Sequence, residues 1–187
     1  AASDLENVLF SEGFGQFPTN SISVSSPTIE KGEYVIRREE NGNKYLEFIS
    51  GMDYVVIKQE TGTLSGKITF SMDLGYSSIN SNLGIGLFSA SKTLMNVRIE
   101  KNRLYAIDNK EIGTMSPGKI NNIAIEYDFD KMLYSVYLNG KLRLENWALS
   151  SIANAGGIAF EKTSAEDCSV MIDNMLVYRG GYEDMQE

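Results

Sequence analysis

Short runs of alternating apolar and polar residues constrain the fold of this sequence more than any other feature. The runs are rich in Val, Ile, Tyr, Phe and Thr, and Gly, Asn, Asp and Ser interrupt them. Side chains on a β-strand point alternately to the two faces, so a period of two indicates half-buried strands. We predict strands at residues 7–10, 33–38, 44–49, 54–58, 65–74, 83–89, 94–100, 103–107, 122–128, 132–138, 141–145, 157–160 and 169–178.

This series of strands, with no convincing helix between them, predicts an all-β fold. Many short antiparallel strands of this kind form a two-sheet β-sandwich or jelly roll. A chain of 187 residues is compatible with a single domain, which we place at residues 1–180. The polar, Gly-containing segment 181–187 is expected to be a tail or a linker to a further domain, as in a module excised from a longer chain.

Two Asn-Gly pairs lie between predicted strands and indicate tight hairpin turns. Asn139-Gly140 separates YSVYL from KLRL, and Asn41-Gly42 separates YVIRRE from KYLEF. Both residue types tolerate the positive φ values that two-residue hairpin turns require.

A third hairpin is predicted at the Lys101-Asn102 turn. If this turn has two residues, Glu100 pairs with Arg103 and Arg98 lies opposite Tyr105. Opposite charges across the strands are consistent with this register.

Composition excludes several classes of function. The sequence has no histidine and only one cysteine, Cys168, which excludes Ser–His, Cys–His and His-zinc chemistry and any intrachain disulfide. The net charge of −8 and the lack of a basic stripe argue against a nucleic-acid partner. No stretch approaches the roughly 18 consecutive apolar residues of a membrane-spanning helix, so membrane insertion is not expected.

Three segments carry a family resemblance. IAIEYDFDKMLYSVYLNGK at 123–141, NGNKYLEF at 41–48 and VMIDNMLVY at 170–178 resemble hairpins and terminal strands of laminin G-like and concanavalin A-like domains. Such domains occur in bacterial secreted carbohydrate-active or cell-surface proteins. The resemblance implies a concanavalin A-like jelly roll, a secreted or cell-surface location and attachment to other domains.

Catalytic members of that superfamily carry a Glu-x-Asp-x-x-Glu strand, and this sequence departs from it. Its nearest approach is Glu126, Asp128 and Asp130, where the first two share a strand face and the third falls in the turn. Exposed carboxylates at a strand end are ordinary. We therefore expect no enzyme.

The outward positions of the predicted strands suggest a sugar site. Asp73, Asn96, Arg98, Tyr105 and Glu126 supply the donors, acceptors and aromatic ring that bind sugar hydroxyls and C–H faces, and we expect them on one concave sheet. The alternative is that they form only the solvated face of an antiparallel sheet.

The neighbouring strands are expected to leave room for a ligand. Alternation predicts that Met95, Val97 and Ile99 are buried and that Gly84 and Gly86 face outward. Two outward glycines beside polar strands would let a ligand approach the backbone.

Three further residues have two interpretations each. Trp147, the only tryptophan, is either a sugar-stacking platform or a plug at the edge of the core. The resemblance implies a structural calcium ion between the first and last strands, with Glu12 and Asp173 as ligands. Asp173 alternatively hydrogen-bonds a neighbouring turn.

The favoured hypothesis is a non-catalytic carbohydrate-binding or adhesion module that holds a polysaccharide or glycan on a shallow polar and aromatic face. The alternatives are a structural or protein-binding laminin G-like domain, and a glycan hydrolase or lyase with an unfamiliar arrangement of carboxylates.

Overall fold

The computed structural model describes residues 8–12, 28–31, 34–38, 44–48, 55–90, 92–152, 154–162 and 170–186. Side chains are described in 57–90, 92–152, 154–162 and 170–184. The predicted Asn41-Gly42 turn lies outside these ranges, as does the side chain of Glu12.

Within these ranges the chain forms fifteen strands and one short helix. They are β1 (Val8–Glu12), β2 (Thr28–Lys31), β3 (Tyr34–Arg38), β4 (Lys44–Phe48), β5 (Val55–Glu60), β6 (Lys67–Tyr76), β7 (Leu83–Phe88), β8 (Thr93–Glu100), β9 (Arg103–Ala106), β10 (Glu111–Thr114), β11 (Asn121–Asp128), β12 (Leu133–Leu138), β13 (Lys141–Ala148), β14 (Gly157–Lys162), β15 (Val170–Arg179) and α1 (Tyr182–Gln186).

The strands form two antiparallel sheets, which confirms the predicted all-β sandwich. One sheet, called here the β6 sheet, has the order β13-β12-β11-β6-β15-β4-β3, and β1 also pairs with β15. The other, the β7 sheet, has the order β10-β9-β8-β7-β14-β5-β2. The two strands that the sequence did not predict, β2 and β10, are the edges of the β7 sheet. Each has four residues and an irregular register, so its alternation is too short to recognise.

The core lies between the two sheets and is built by the alternation seen in the sequence. From β6 the inward side chains Ile68, Phe70, Met72 and Leu74 are at most 1% exposed. Phe70 meets Phe160 of the β7 sheet edge to face, with 5.8 Å between ring centroids. Burial of each large apolar side chain contributes roughly 1.5–3 kcal/mol, so this layer holds the two sheets together.

The hairpin register predicted around the Lys101-Asn102 turn is confirmed. Both turn residues have positive φ values, 48° and 62°. Glu100 pairs with Arg103, and Arg98 pairs with Tyr105. The Asn139-Gly140 turn is likewise formed, with φ values of 51° and 82°.

Strand β8 contains a bulge that the sequence did not reveal. Ile85 pairs with Val97, but Gly86 pairs with Met95, so Asn96 is an extra residue on β8. An extra residue shifts the alternation of side chains by one position. Val97 and Ile99 are therefore buried as predicted, whereas the predicted burial of Met95 is wrong, because it turns to the outer face and is only partly buried.

Asn96 is wholly buried and forms a polar bridge between the sheets. Its side-chain Oδ1 accepts a hydrogen bond from the Tyr127 hydroxyl at 2.9 Å. Its backbone carbonyl accepts one from the Tyr134 hydroxyl, also at 2.9 Å. Both tyrosines belong to the β6 sheet, so their hydroxyls cross the interior to satisfy the side-chain and backbone oxygens of Asn96. Its buried Nδ2 has no hydrogen-bond partner among the described residues.

Gly86 is required by this bulge, and its replacement should destabilise the fold. A Cβ at Gly86 would overlap the carbonyl oxygen of Leu94 and would lie 2.9 Å from the backbone nitrogen of Asn96. Because these are backbone atoms, they cannot move aside, and Gly86→Ala should lower the free energy of unfolding by about 3 kcal/mol. Urea unfolding measures this. Gly156→Ala, whose Cβ would meet nothing closer than 3.9 Å, is the control and should change stability by less than about 0.5 kcal/mol.

The bridging tyrosines should make the protein sensitive to alkali. Burial raises the pKa of Tyr127 well above its ordinary value. Burial also raises the pKa of Tyr134 to about 12, although the hydrogen bond from the Ile107 N–H lowers this pKa in part. Tyrosines in the unfolded chain ionise near pH 10, so the unfolded state loses these protons first. The stabilisation is fully present below pH 10 and should decrease between pH 10 and pH 12.

Urea unfolding between pH 8 and pH 12 tests this expectation. Tyr134→Phe should lower stability at pH 8 by about 1–3 kcal/mol, because the Asn96 carbonyl loses its buried donor. The same variant should show a shallower decline above pH 10. A wild-type profile that stays flat to pH 12 would contradict the buried bridge.

Candidate functional site

A row of four residues crosses the outer face of the β7 sheet. Tyr105 on β9 pairs with Arg98 on β8, Arg98 pairs with Gly84 on β7, and Gly84 pairs with Glu161 on β14. Neighbouring strands lie about 4.8 Å apart, so Arg98 and Glu161 are separated by about 10 Å at the backbone. A gap lies between the cation of Arg98 and the carboxylate of Glu161, although the Met95 side chain covers Gly84 itself.

Arg98 is held in a fixed position within this row. Its guanidinium carbon lies 4.7 Å from the centroid of the Tyr105 ring. Its Nε donates to Glu100 Oε2 at 3.3 Å, and one terminal nitrogen donates to the carbonyl of Ala106 at 3.3 Å. Stacking and two hydrogen bonds on different groups restrict the planar guanidinium, and its remaining N–H donors are available to a ligand.

The gap is a groove of about 300 Å³, at the small end of the range for ligand pockets. Met95 covers Gly84, because a Cβ on Gly84 would lie 2.9 Å from Met95 Cγ and 3.1 Å from its Sδ. The prediction that Gly84 and Gly86 open room for a ligand is therefore wrong, because the Met95 side chain lies over Gly84 and the backbone of Leu94 and Asn96 lies over Gly86. The lining residues are Asn82, Leu83, Gly84, Met95, Arg98, Ile99, Glu100 and Glu161.

The expectation that all the predicted sugar-binding residues share one sheet is wrong. Arg98 and Tyr105 lie on the outer face of the β7 sheet, whereas Asp73 and Glu126 lie on the β6 sheet. Asn96 is 0% exposed and forms the interior bridge. The bulge in β8 is the reason that Asn96 is buried. Asp73 and Glu126 were predicted on the wrong sheet, because the order of strands that are distant in sequence cannot be read from alternation.

Asp73 is engaged by amides on the outer face of the β6 sheet. Its two carboxylate oxygens accept from Asn122 Nδ2 at 3.0 Å and from Asn174 Nδ2 at 2.9 Å. Asp173 pairs with Asp73 across the strands, and its Oδ1 accepts from the backbone nitrogen of Asn174 at 2.8 Å. This bond joins neighbouring residues within β15, whereas the alternative for Asp173 was a bond to a turn.

The predicted calcium site falls between strands β1 and β15. Strand β1 pairs with β15 as the resemblance implies, and Glu12 lies opposite Met175. However, no group of three or more Asp, Glu, His or Cys side chains within the described part of the chain is placed to hold a metal ion. Calcium binding by Glu12 and Asp173 stays a prediction, because the side chain of Glu12 is not described.

The C-terminal segment covers part of the outer face of the β6 sheet. The Thr69 hydroxyl donates to the carbonyl of Gly180 at 2.9 Å, and the Tyr182 backbone nitrogen donates to Glu126 Oε1 at 2.8 Å. The Tyr182 ring stacks on Tyr137 with 4.0 Å between centroids. Segment 181–187 was predicted to be a polar tail, but its first residues are packed against the sheet, where Tyr182 is 8% exposed.

The carboxylates of the EYDFD sequence lie beside a polar pocket of about 250 Å³ on this sheet. Glu126 and Asp128 line it together with Lys67 and Lys131. Glu126 accepts the Tyr182 N–H described above, and Asp128 Oδ1 accepts the backbone nitrogens of Asp130 and Lys131 at 3.1 and 3.0 Å. Both carboxylates therefore hold local structure in place.

Trp147 lies at the edge of the sandwich. Its ring is partly buried against the core, and its Nε1 donates to Asp108 Oδ1 at 3.1 Å. It pairs with Tyr134 across the strands and does not line the groove. This position matches the plug interpretation.

Comparisons with known proteins identify the fold. No family model and no curated protein matches the sequence. Solved structures do match. One is a sialidase, with a TM-score of 0.66 and 13% identity over 96% of this chain and 19% of the sialidase. Another is a galectin-like protein of unknown function from Bacillus subtilis, with a TM-score of 0.58 and 12% identity over 94% of this chain and 97% of that protein. The carbohydrate recognition domain of Emp46p in its potassium-bound form also matches (TM-score 0.61, 11% identity, 93% and 97%). The chain thus spans less than a fifth of the sialidase.

These neighbours share the two-sheet antiparallel β-sandwich that the sheet order of this chain defines. The finer assignment to bacterial laminin G-like proteins stays a prediction. In the part of the chain that the structure describes, no helix is long and apolar enough to cross a membrane.

The contact of Tyr182 with the β6 sheet should contribute to stability. Tyr182→Ala removes a buried ring that stacks on Tyr137, so it should lower the free energy of unfolding by about 1–3 kcal/mol. Thermal or urea unfolding measures the change. Glu183→Ala, at an exposed position of the same helix, should stay within about 0.5 kcal/mol of wild type. Equal stability of both variants would mean that the segment does not pack on the sheet.

Proposed function

We propose that this chain is a non-catalytic carbohydrate-binding module whose ligand lies in the groove on the outer face of the β7 sheet. The observation that carries the proposal is the row of Tyr105, Arg98, Gly84 and Glu161 across four adjacent strands. The Emp46p domain, described as a carbohydrate recognition domain, shares the fold and supports the same class of ligand.

The chemistry of the row suits a sugar ring. Sugar hydroxyls both donate and accept, and the row offers N–H donors on Arg98 and carboxylate acceptors on Glu161. Met95, whose side chain lies over Gly84, offers apolar surface for the C–H groups of the sugar. Tyr105 acts through Arg98, whose guanidinium stacks on its ring. A ring lying on Met95 would have Arg98 on one side and Glu161 on the other.

The charges favour a neutral glycan. Arg98 is paired with Glu100, and Glu161 adds a further carboxylate to the lining. The chain as a whole carries a net charge of −8, which repels anionic polymers. A neutral sugar chain avoids this repulsion. Because the groove is open and Arg98 is partly exposed, binding by a single module should be weak, and several modules would add avidity.

The outer face of the β6 sheet is a weaker candidate. The amides of Asn122 and Asn174 occupy the oxygens of Asp73, and the C-terminal segment covers Glu126. For the same reason a hydrolase or lyase based on Glu126 and Asp128 is not favoured, because each carboxylate already accepts backbone hydrogen bonds. A secreted or cell-surface location and attachment to other domains belong to the proposal.

Replacement of Arg98 or Tyr105 should abolish most of the binding. The test is a glycan array followed by pull-down on insoluble polysaccharides, with and without a calcium chelator. Arg98→Ala removes charge-assisted hydrogen bonds and should weaken binding about 10-fold or more. Tyr105→Ala should weaken it similarly, since the guanidinium loses the ring on which it stacks.

Arg143→Ala is the matched control, because Arg143 is an exposed arginine on β13 of the other sheet. It should bind like wild type, and all three variants should remain folded by circular dichroism. If Arg143→Ala weakens binding as much as Arg98→Ala, the effect is one of overall charge. If no glycan binds the wild-type domain, the protein-contact alternative replaces this proposal.

A further inference from the structure

Glu100 lies beside Arg98 on β8 and contacts the guanidinium that is proposed to bind the ligand. The two residues are two positions apart on one strand, so their side chains point to the same face of the sheet. Glu100 Oε2 lies 3.3 Å from Arg98 Nε. Both residues line the groove, and the side chains of Arg98 and Glu100 are 33% and 49% exposed, so a ligand in the groove can reach them.

Glu100 bonds Arg98 although another arginine stands opposite it. Arg103 pairs with Glu100 across the hairpin of β8 and β9. The guanidinium of Arg103 donates to Glu111 Oε1 at 3.0 Å. The two glutamates are thus divided between the two arginines: Glu111 bonds Arg103 from the edge strand β10, and Glu100 bonds Arg98 at the groove.

The contact with Glu100 determines which N–H groups of Arg98 a ligand can use. A guanidinium holds a carboxylate best through two parallel N–H bonds, either from Nε and Nη2 or from the two terminal nitrogens. In Arg98, Nε donates to Glu100 and Nη1 donates to the carbonyl of Ala106. Each pair therefore includes a nitrogen that is already engaged. A sugar hydroxyl needs only one donor, so the remaining N–H groups still suffice for a neutral sugar.

The charge of Glu100 acts in the same direction. A ligand carboxylate that approached Arg98 would also approach the Glu100 carboxylate, because both would share one guanidinium. Like charges brought together in this way are unfavourable, and a site that sets such a charge against a competing ligand gains specificity by excluding it. A neutral hydroxyl does not meet this repulsion.

We propose that Glu100 is the residue that makes the groove select neutral sugars over sugars that carry a carboxylate, such as uronic acids. It acts by occupying Arg98 Nε and through its own charge. This inference rests on the proposed function and names the specificity-determining residue of the same site. Without Glu100, the Nε and Nη2 groups of Arg98 would be free to hold a ligand carboxylate.

Calorimetric titration with matched pairs of ligands tests the proposal. The probes are gluco-, manno- and galacto-oligosaccharides of four units and the corresponding oligosaccharides of glucuronic, mannuronic and galacturonic acid, whose rings differ at C6. Wild type should bind the neutral member of a pair at least about 10-fold more tightly than the acidic one. Glu100→Ala should bind the acidic member about 10-fold more tightly than wild type does, because it frees Nε and removes the repulsion. Its affinity for the neutral member should change by less than about 3-fold.

Glu111→Ala is the matched control. Like Glu100, Glu111 is an exposed glutamate that bonds an arginine of the β7 sheet, so its loss changes the net charge by the same amount, but it does not line the groove. It should bind every probe within about 2-fold of wild type. The gain of acidic binding in Glu100→Ala should also shrink as the salt concentration is raised, because salt screens the new ion pair, whereas binding of the neutral probes should not respond.

The outcomes separate the two proposals. If Glu100→Ala binds the acidic probes no better than Glu111→Ala does, or if wild type binds both members of a pair equally, Glu100 does not set the specificity although the groove still binds sugar. If wild type binds no probe and Glu100→Ala gains the acidic ones, the role of Glu100 is supported and the neutral-glycan proposal fails. If neither protein binds any probe, both proposals fail.

Discussion

The bulge at Asn96 is the constraint on which the arrangement of this sandwich depends. One extra residue in β8 places Asn96 and Val97 in the interior in succession, and it turns both Met95 and Arg98 to the outer face. The oxygens of an interior asparagine need hydrogen-bond donors, and the hydroxyls of Tyr127 and Tyr134 supply them from the opposite sheet. The bulge thereby joins the two sheets through polar contacts and shapes the outer groove at the same time. Interior packing and surface chemistry are linked through a single irregularity of the backbone.

The two outer faces differ in how their polar groups are satisfied. On the β6 sheet Asp73 and Glu126 accept hydrogen bonds from amides and from the C-terminal backbone, so these two carboxylates are engaged by the protein itself. On the β7 sheet Arg98 is oriented by stacking and by two acceptors while part of its donor set is left over. A face whose groups are fixed in position but incompletely used is suited to recognition. Sandwich folds host many activities, so this difference between faces, and not the fold, indicates where a ligand would bind.

Local patterns in the sequence predicted much of the fold. The inward residues of β6, the hairpin around Lys101-Asn102 and the pairing of Arg98 with Tyr105 all follow from alternation and turn chemistry, which act over a few residues. The position of Glu161 beside Gly84 could not be predicted, because β14 and β7 are far apart in the chain and nothing local encodes their pairing. The bulge could not be predicted for another reason. In the sequence, an asparagine that faces outward on a regular strand cannot be told from an asparagine that forms a bulge. Only the structure, in which two buried tyrosine hydroxyls bond Asn96, distinguishes these two cases.

The position of Trp147 gives the molecule a built-in spectroscopic reporter. It is the only tryptophan in the sequence, and its indole is partly buried at the sandwich edge with Nε1 bonded to Asp108, which follows β9. Intrinsic tryptophan emission therefore responds to the separation of the two sheets at that edge. The indole does not line the proposed groove, so a ligand bound there would leave this emission unchanged while the sheets stay together.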